Sequence, residues 1–145
     1  MKTESSLCNL VCTENDFDEK KVKIEKMKVL IVDDSPAIIE KIAELLEDIK
    51  SITQLASCGS YSQALAVLNE LKPDVAILDV NLPDRSGIEL LKYVKSKSSK
   101  TVVIMCTNQG SDHYRQFLTK HGANFFLDKS KDFEKLPSLI TSLFY

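Results

Sequence analysis

The sequence has no tryptophan, four glycines, four prolines and no strong excess of either charge in 145 residues. So little glycine and proline excludes a collagen-like or linker-like chain. A net charge of −2 leaves no electrostatic footprint for nucleic acid, so no nucleic-acid partner is expected. No apolar run approaches the roughly 20 residues that cross a bilayer, and no membrane partner is expected either. Met1 to Lys20 contains no apolar stretch of the kind a secretory leader needs, and cytoplasm is the expected location. Cysteine is sparse. Cys58 and Cys106 lie in apolar, strand-like surroundings and read as small buried hydrophobes. Cys8 and Cys12 are four apart, but no histidine or second cysteine pair completes a metal site with them.

What is present is an ordinary globular composition, 43% hydrophobic and 28% charged, long enough for one domain with a core of its own. Residues 1–26 are polar and aperiodic, and read as a disordered or loosely attached extension. The periodic part, 27–145, alternates short β-branched runs with amphipathic segments. Lys28 to Val32, Ile52 to Ala56, Val75 to Leu78, Thr101 to Cys106 and Asn124 to Leu127 read as strands. Pro36 to Ile49 carries apolar residues at helical spacing, with Ser35 as N-cap and Pro36 as first helical residue. Ser60 with Gln63, and Ser86 with Glu89, are spaced as capping boxes for the second and third helices. A fourth helix runs from about Ser111 to Lys120, stopped by Gly122. The fifth runs to Leu143, with Pro137 near its start.

Five β-α units with strands this short and apolar predict a doubly wound parallel α/β sheet covered on both faces. Such sheets bind ligands at the carboxyl ends of their strands. The first strand ends in Asp33-Asp34, the third in Asp79, the fourth in Thr107, and Lys129 follows the fifth. One acidic strand end is commonly a cap. Three carboxylates in one crevice repel each other, and a hard divalent cation such as Mg²⁺ would neutralise them. Asp79 can then attack phosphorus as a nucleophile. Lys129 and the Thr107 hydroxyl would stabilise charge on the transferring phosphoryl group.

The ordered set Asp33-Asp34, Asp79 within Asp-Val-Asn-Leu-Pro, Thr107 and Lys129, with Gly87 following, resembles the two-component response-regulator receiver family over about Met27 to Tyr145. The resemblance implies a flavodoxin-like (βα)5 fold with strand order 2-1-3-4-5. It implies Asp79 as phosphoacceptor, with Mg²⁺ held by Asp33, Asp34, Asp79 and the backbone carbonyl of Asn81. It also implies a switch pair, Thr107 and Phe126, and a readout surface on the fourth helix, fifth strand and fifth helix. The expected donor is a sensor histidine kinase or a phosphotransfer protein, and the output another protein. With no effector domain read after the fifth helix, the chain is expected to be a stand-alone receiver, either a chemotaxis-regulator-like protein acting by contact or a relay intermediate, rather than an enzyme in its own right.

Two positions depart from that pattern. Asn108 stands where the family usually has Ala or Gly, and is expected to narrow access to Asp79. Ser130 stands where a cis proline is frequent, so a trans Lys129–Ser130 bond is expected, since a cis bond there costs about 2.5–4 kcal/mol. His113 and His121 read as solvated residues in or near the fourth helix rather than relay histidines. Tyr114 and Phe117 read as packing residues near the readout face. Three rivals remain. A haloacid-dehalogenase-type hydrolase wants a second acid two residues after the nucleophile, where this chain has Asn81. A flavodoxin-like electron carrier would bring a phosphate against Asp33 and Asp34. A phosphorylation-independent pseudo-receiver need not keep all five site residues.

Overall fold

A computed structural model describes residues 26–108 and 112–143. Five strands form one parallel sheet: β1 (Met27–Val32), β2 (Ile52–Cys58), β3 (Val75–Asp79), β4 (Val102–Thr107) and β5 (Phe125–Asp128). Their spatial order is β2-β1-β3-β4-β5, the order expected. The reading of residues 1–26 as an extension falls almost wholly outside the described residues.

Period-two alternation divides each strand between two cores. Val29 and Ile31, Val75 and Ile77, Ile104 and Cys106 point to one face. Leu30 and Val32, Ala76 and Leu78, Val103 and Met105 point to the other. The first face is covered by α1 (Pro36–Leu46) and α5 (Leu136–Ser142), through Ile42, Leu46, Leu136 and Ile140. The second is covered by α2 (Tyr61–Leu71), α3 (Gly87–Lys97) and α4 (Asp112–Lys120), through Ala64, Leu68, Leu90, Val94 and Leu118. Ile77 and Leu78 are 1% and 0% exposed, and burying each such side chain stabilises by about 1.5–3 kcal/mol. With both faces covered, strand interiors have no polar side to show, which is why they read as continuous apolar runs.

The helix ends follow their local chemistry. Ser35 Oγ accepts from the Ile38 N–H at 3.3 Å, and Pro36 occupies the first turn. Ser60 Oγ accepts from the Gln63 N–H at 3.2 Å, while Gln63 Oε1 reaches back to the Gly59 N–H at 2.9 Å. That is a capping box closed one residue early. The second expected box takes another form. Ser86 Oγ accepts from the Ile88 N–H at 3.1 Å, and Glu89 pairs with Arg85 at 3.1 Å. Gly122 ends α4 with φ +109°, a conformation that side chains with a Cβ rarely adopt. Helix α1 stops at Leu46, short of the expected Ile49. The strands β2 and β5 extend to Cys58 and Asp128.

Candidate functional site

The carboxyl edge of the sheet collects the residues singled out above. Asp33 directly follows β1, Asp79 closes β3, Thr107 closes β4, and Lys129 directly follows β5. Adjacent strands in register bring them level. Asp79 sits opposite Cys106, and Thr107 opposite Asp128. The Lys129 N–H donates to the Thr107 carbonyl at 2.8 Å, which fixes where the lysine leaves the sheet.

Lys129 Nζ lies 2.7 Å from Asp33 Oδ2 and 3.1 Å from Asp79 Oδ1. The side chains of Asp33, Asp79 and Lys129 are 3%, 6% and 10% exposed, so these charges are desolvated and must satisfy one another. The other Asp33 oxygen accepts from the Ser35 N–H at 2.9 Å. Asp79 Oδ1 also accepts from the Asn81 N–H at 3.2 Å. Burial, seconded by the nearby charge of Asp33, raises the Asp79 carboxyl above its ordinary value despite Lys129 and the Asn81 N–H, which pull it down. Burial alone would lower the Lys129 ammonium, but its bonds and attraction to Asp33 and Asp79 outweigh this and hold it above its ordinary value.

Asp34 is exposed beside this pair. Oxygens of Asp33, Asp34 and Asp79 all lie within 4.8 Å of one another. Three hard oxygen donors, one facing solvent, suit a small divalent cation that keeps some of its water. Asn81 lies on the turn two residues beyond Asp79. The expected carbonyl ligand is therefore on the adjoining loop, with its N–H already bound to Asp79.

That loop is held by two devices. Gly87 N donates to the Val80 carbonyl at 2.6 Å. A Cβ at Gly87 would lie 1.9 Å from the Asp79 carbonyl oxygen, so the first turn of α3 can sit this close to the Asp79 backbone only with glycine there. Asp84 accepts from the Tyr61 and Ser62 N–H groups at 2.8 and 3.0 Å, tying the loop to the start of α2. Those bonds, Tyr61's first, hold the Asp84 carboxyl below its ordinary value. The sequence reading missed Asp84, because its partners lie more than 20 residues away and no local spacing marks it.

The Lys129–Ser130 bond is trans, as expected. Ser130 donates to Asp128 Oδ1 twice, from its N–H at 2.8 Å and its hydroxyl at 2.5 Å, and a proline could supply neither. Asn108 is exposed just past Thr107. Thr107 is 1% exposed. Phe126 is half-buried against the α2–α4 face of the sheet. Met105 pairs with Phe126, and Thr107 with Asp128. Residues two apart share a face, so the expected switch pair lies on the same side. His113 is exposed on α4, and His121 packs edge-on against Phe117 with centroids 4.6 Å apart. Cys106 is buried as expected and Cys58 is half-buried; Cys8 and Cys12 lie outside the described residues. No described helix is long and apolar enough to cross a membrane.

Comparison with known proteins bears on the family and the fold. Residues 29–141 match the family model of the response regulator receiver domain. The chain is 29% identical over 116 residues to the DNA-binding transcriptional activator EvgA of Escherichia coli K12, covering 79% of this chain and 55% of that protein. It is 31% identical over 109 residues to the transcriptional regulatory protein YdfI of Bacillus subtilis, covering 75% and 51%. The chain thus spans about half the length of these curated relatives. Among solved structures, the chemotaxis protein CheY4 of Vibrio cholerae superposes with a TM-score of 0.72 at 30% identity, over 81% of this chain and 98% of that one. With the family matched across nearly the whole described fold, the chain belongs to the response regulator receiver domains.

Proposed function

We propose that this receiver accepts a phosphoryl group on Asp79 from a sensor histidine kinase or a phosphotransfer protein, and signals by changing a protein-binding surface. The observation that carries the reading is the placement of Lys129 Nζ, 2.7 Å from Asp33 and 3.1 Å from Asp79, in a crevice where Asp34 adds a third carboxylate. A purely structural ion pair would not gather two further acids and then bury most of the charge.

An oxygen of Asp79 attacks the phosphorus of a phosphohistidine. The P–O bond forms as the P–N bond breaks, and the imidazole nitrogen leaves with the electron pair. Lys129 is already held at the nucleophile and offsets charge on one phosphoryl oxygen as a point charge. Thr107, at the end of the neighbouring strand, donates its hydroxyl to another. The Asn81 N–H and Lys129 fix the orientation of the Asp79 carboxylate before the donor arrives, so little reorganisation is left for the reacting state. Asp33, Asp34, Asp79 and the Asn81 carbonyl are the groups that would hold Mg²⁺, whose contribution when bound is to neutralise charge shared by carboxylate and phosphoryl oxygens. Regulation through protein contact, rather than DNA binding by this domain, fits the net charge of −2.

The test is incubation with Mg²⁺ and acetyl phosphate or a cognate kinase, followed by intact mass. One phosphoryl adduct, absent in Asp79→Asn, is expected. A wild-type chain that takes no adduct from any donor and shows no Mg²⁺-dependent change would point to a phosphorylation-independent interaction module instead.

A further inference from the structure

The loop after β5 carries Lys129, and it is closed by a residue that plays no part in the chemistry above. Asp132 is 6% exposed. Its Oδ2 accepts from the Asp128 N–H at 2.9 Å, and its own N–H donates to the Asp128 carbonyl at 2.8 Å. The segment 128–132 is thereby drawn into a tight loop with Lys129 at its head. Asp132 also faces α4: Arg115 Nη2 lies 4.0 Å from Asp132 Oδ2. The same guanidinium covers the Phe126 ring, with its carbon 4.5 Å from the ring centroid. Arg115 therefore touches both the loop that holds Lys129 and the aromatic ring on β5. On α4 it has Tyr114 as its neighbour in sequence. Tyr114 and Phe117 have stacked rings 6.3 Å apart, and Phe117 is 41% exposed. No other described large hydrophobic is so exposed.

We infer that Arg115 is a positioning residue that couples the occupancy of Asp79 to α4. The path runs from Lys129 through the 128–132 loop to Asp132, and from Asp132 through Arg115 to the helix. The inference rests on the proposed phosphorylation of Asp79. A phosphoryl group on Asp79 competes with Asp33 for the Lys129 ammonium. A shift of Lys129 that reaches its backbone moves a loop of five residues closed by two hydrogen bonds, and Asp132 moves with it. Arg115 then loses or regains its carboxylate while its planar face stays on Phe126. Arginine suits this double contact because its flat guanidinium stacks on a ring and pairs at its edge simultaneously, which a lysine ammonium cannot do. This route is distinct from a movement of Thr107 and Phe126 alone, since it passes through charged groups and should weaken as salt screens the partly exposed Arg115–Asp132 pair.

The experiment compares the full chain with Arg115→Ala, Arg115→Lys and Asp132→Asn. Each is treated with Mg²⁺ and acetyl phosphate, with the Asp79 adduct counted by mass and backbone amide shifts recorded before and after. All three variants are expected to take the adduct, since none touches Asp79, Asp33 or Lys129 through a side chain. In wild type the amides of Tyr114, Phe117 and His121 should shift on phosphorylation. In Arg115→Ala these shifts should fall to less than half, while those at Asp33, Asn81 and Lys129 persist. Arg115→Lys and Asp132→Asn should also lose the α4 response, because each keeps only one of the two contacts. Equal α4 shifts in wild type and all three variants, with equal adduct, would overturn the inference and leave the phosphoacceptor reading standing. Absence of the adduct in wild type would remove both. A variant that fails to fold would lose its amide dispersion before any treatment. Asp132→Asn is the variant most exposed to this, and Arg115→Lys, altered only at a partly exposed tip, would then decide the question.

Discussion

Lys129→Met removes one ammonium from the centre of the site and keeps the shape of the side chain. Asp33 and Asp79 are then left 3% and 6% exposed with no cation between them. Removing one partner of a buried ion pair costs about 3–5 kcal/mol. The lower figure is the better one here, because Asp34 opens the cluster to solvent and a carboxyl can take up a proton. About 3 kcal/mol at neutral pH corresponds to roughly 12 °C of Tm, at about 4 °C per kcal/mol for a domain of this size. The sign with pH follows from Asp79, whose carboxyl is already raised by burial and by Asp33 and lowered by Lys129. Without Lys129 it holds its proton more tightly in the folded state than unfolded, so stability falls as pH rises above about 4. The difference from wild type should therefore shrink on acidification. It should also shrink above the ordinary lysine range, where wild type loses the contribution of Lys129 as pH passes its raised folded value. Millimolar Mg²⁺ should recover part of the loss, by binding the folded state alone. Urea unfolding at several pH values, with and without Mg²⁺, measures all of this. A variant whose midpoint equals that of wild type at pH 7 refutes the view that these three charges form one desolvated unit.

Gly87→Ala should cost at least about 3 kcal/mol, the upper end of the usual overpacking range, because its Cβ meets the Asp79 carbonyl oxygen at 1.9 Å; thermal melts against wild type check this. Asp79→Asn should be more stable than wild type at pH 7 and lose that advantage as pH falls toward the ordinary carboxylate range, since burial and Asp33 disfavour the charged form that the amide replaces. A urea midpoint at pH 7 below that of wild type would contradict it. Burial pushes the Cys106 thiol up to about 12, so peptide mapping after alkylation at pH 8 should find Cys106 unmodified in the folded chain and modified in urea.

The residues of the carboxylate–lysine cluster were legible because each occupies a position that the fold dictates. A parallel strand buried on both faces is a short apolar run, and the residue that breaks it lies at the edge where ligands bind. Asp33, Asp79, Thr107 and Lys129 could therefore be placed on one edge from the alternation of strands and helices alone. Ser35 and Ser60 were legible for a related reason, since an N-cap and its target lie within one turn. What failed was local pattern with a distant competitor. Glu89 has the spacing of a capping box, but Arg85, one turn before it on the same side, takes the carboxylate.

Asp84, Asp132 and Arg115 fall beyond that horizon. Asp84 caps a helix more than 20 residues upstream. Asp132 was not singled out by the sequence either. Only the close return of its carboxylate to the Asp128 N–H shows that it shapes the loop bearing Lys129. Arg115 carries no spacing signal in the sequence. Its ring partner, Phe126, comes from a strand whose pairing with β4 must be known first. The division has a physical basis. Residues that do chemistry must converge on a strand end, and the strand pattern reports them. Residues that relay the outcome must join elements distant in sequence, and their contacts exist only once the register is set. In this receiver the proposed acceptor was therefore legible in the order of its strands, whereas the inferred coupling of that acceptor to α4 rests on the 4.5 Å and 4.0 Å contacts of a single arginine, which only the folded structure brings together.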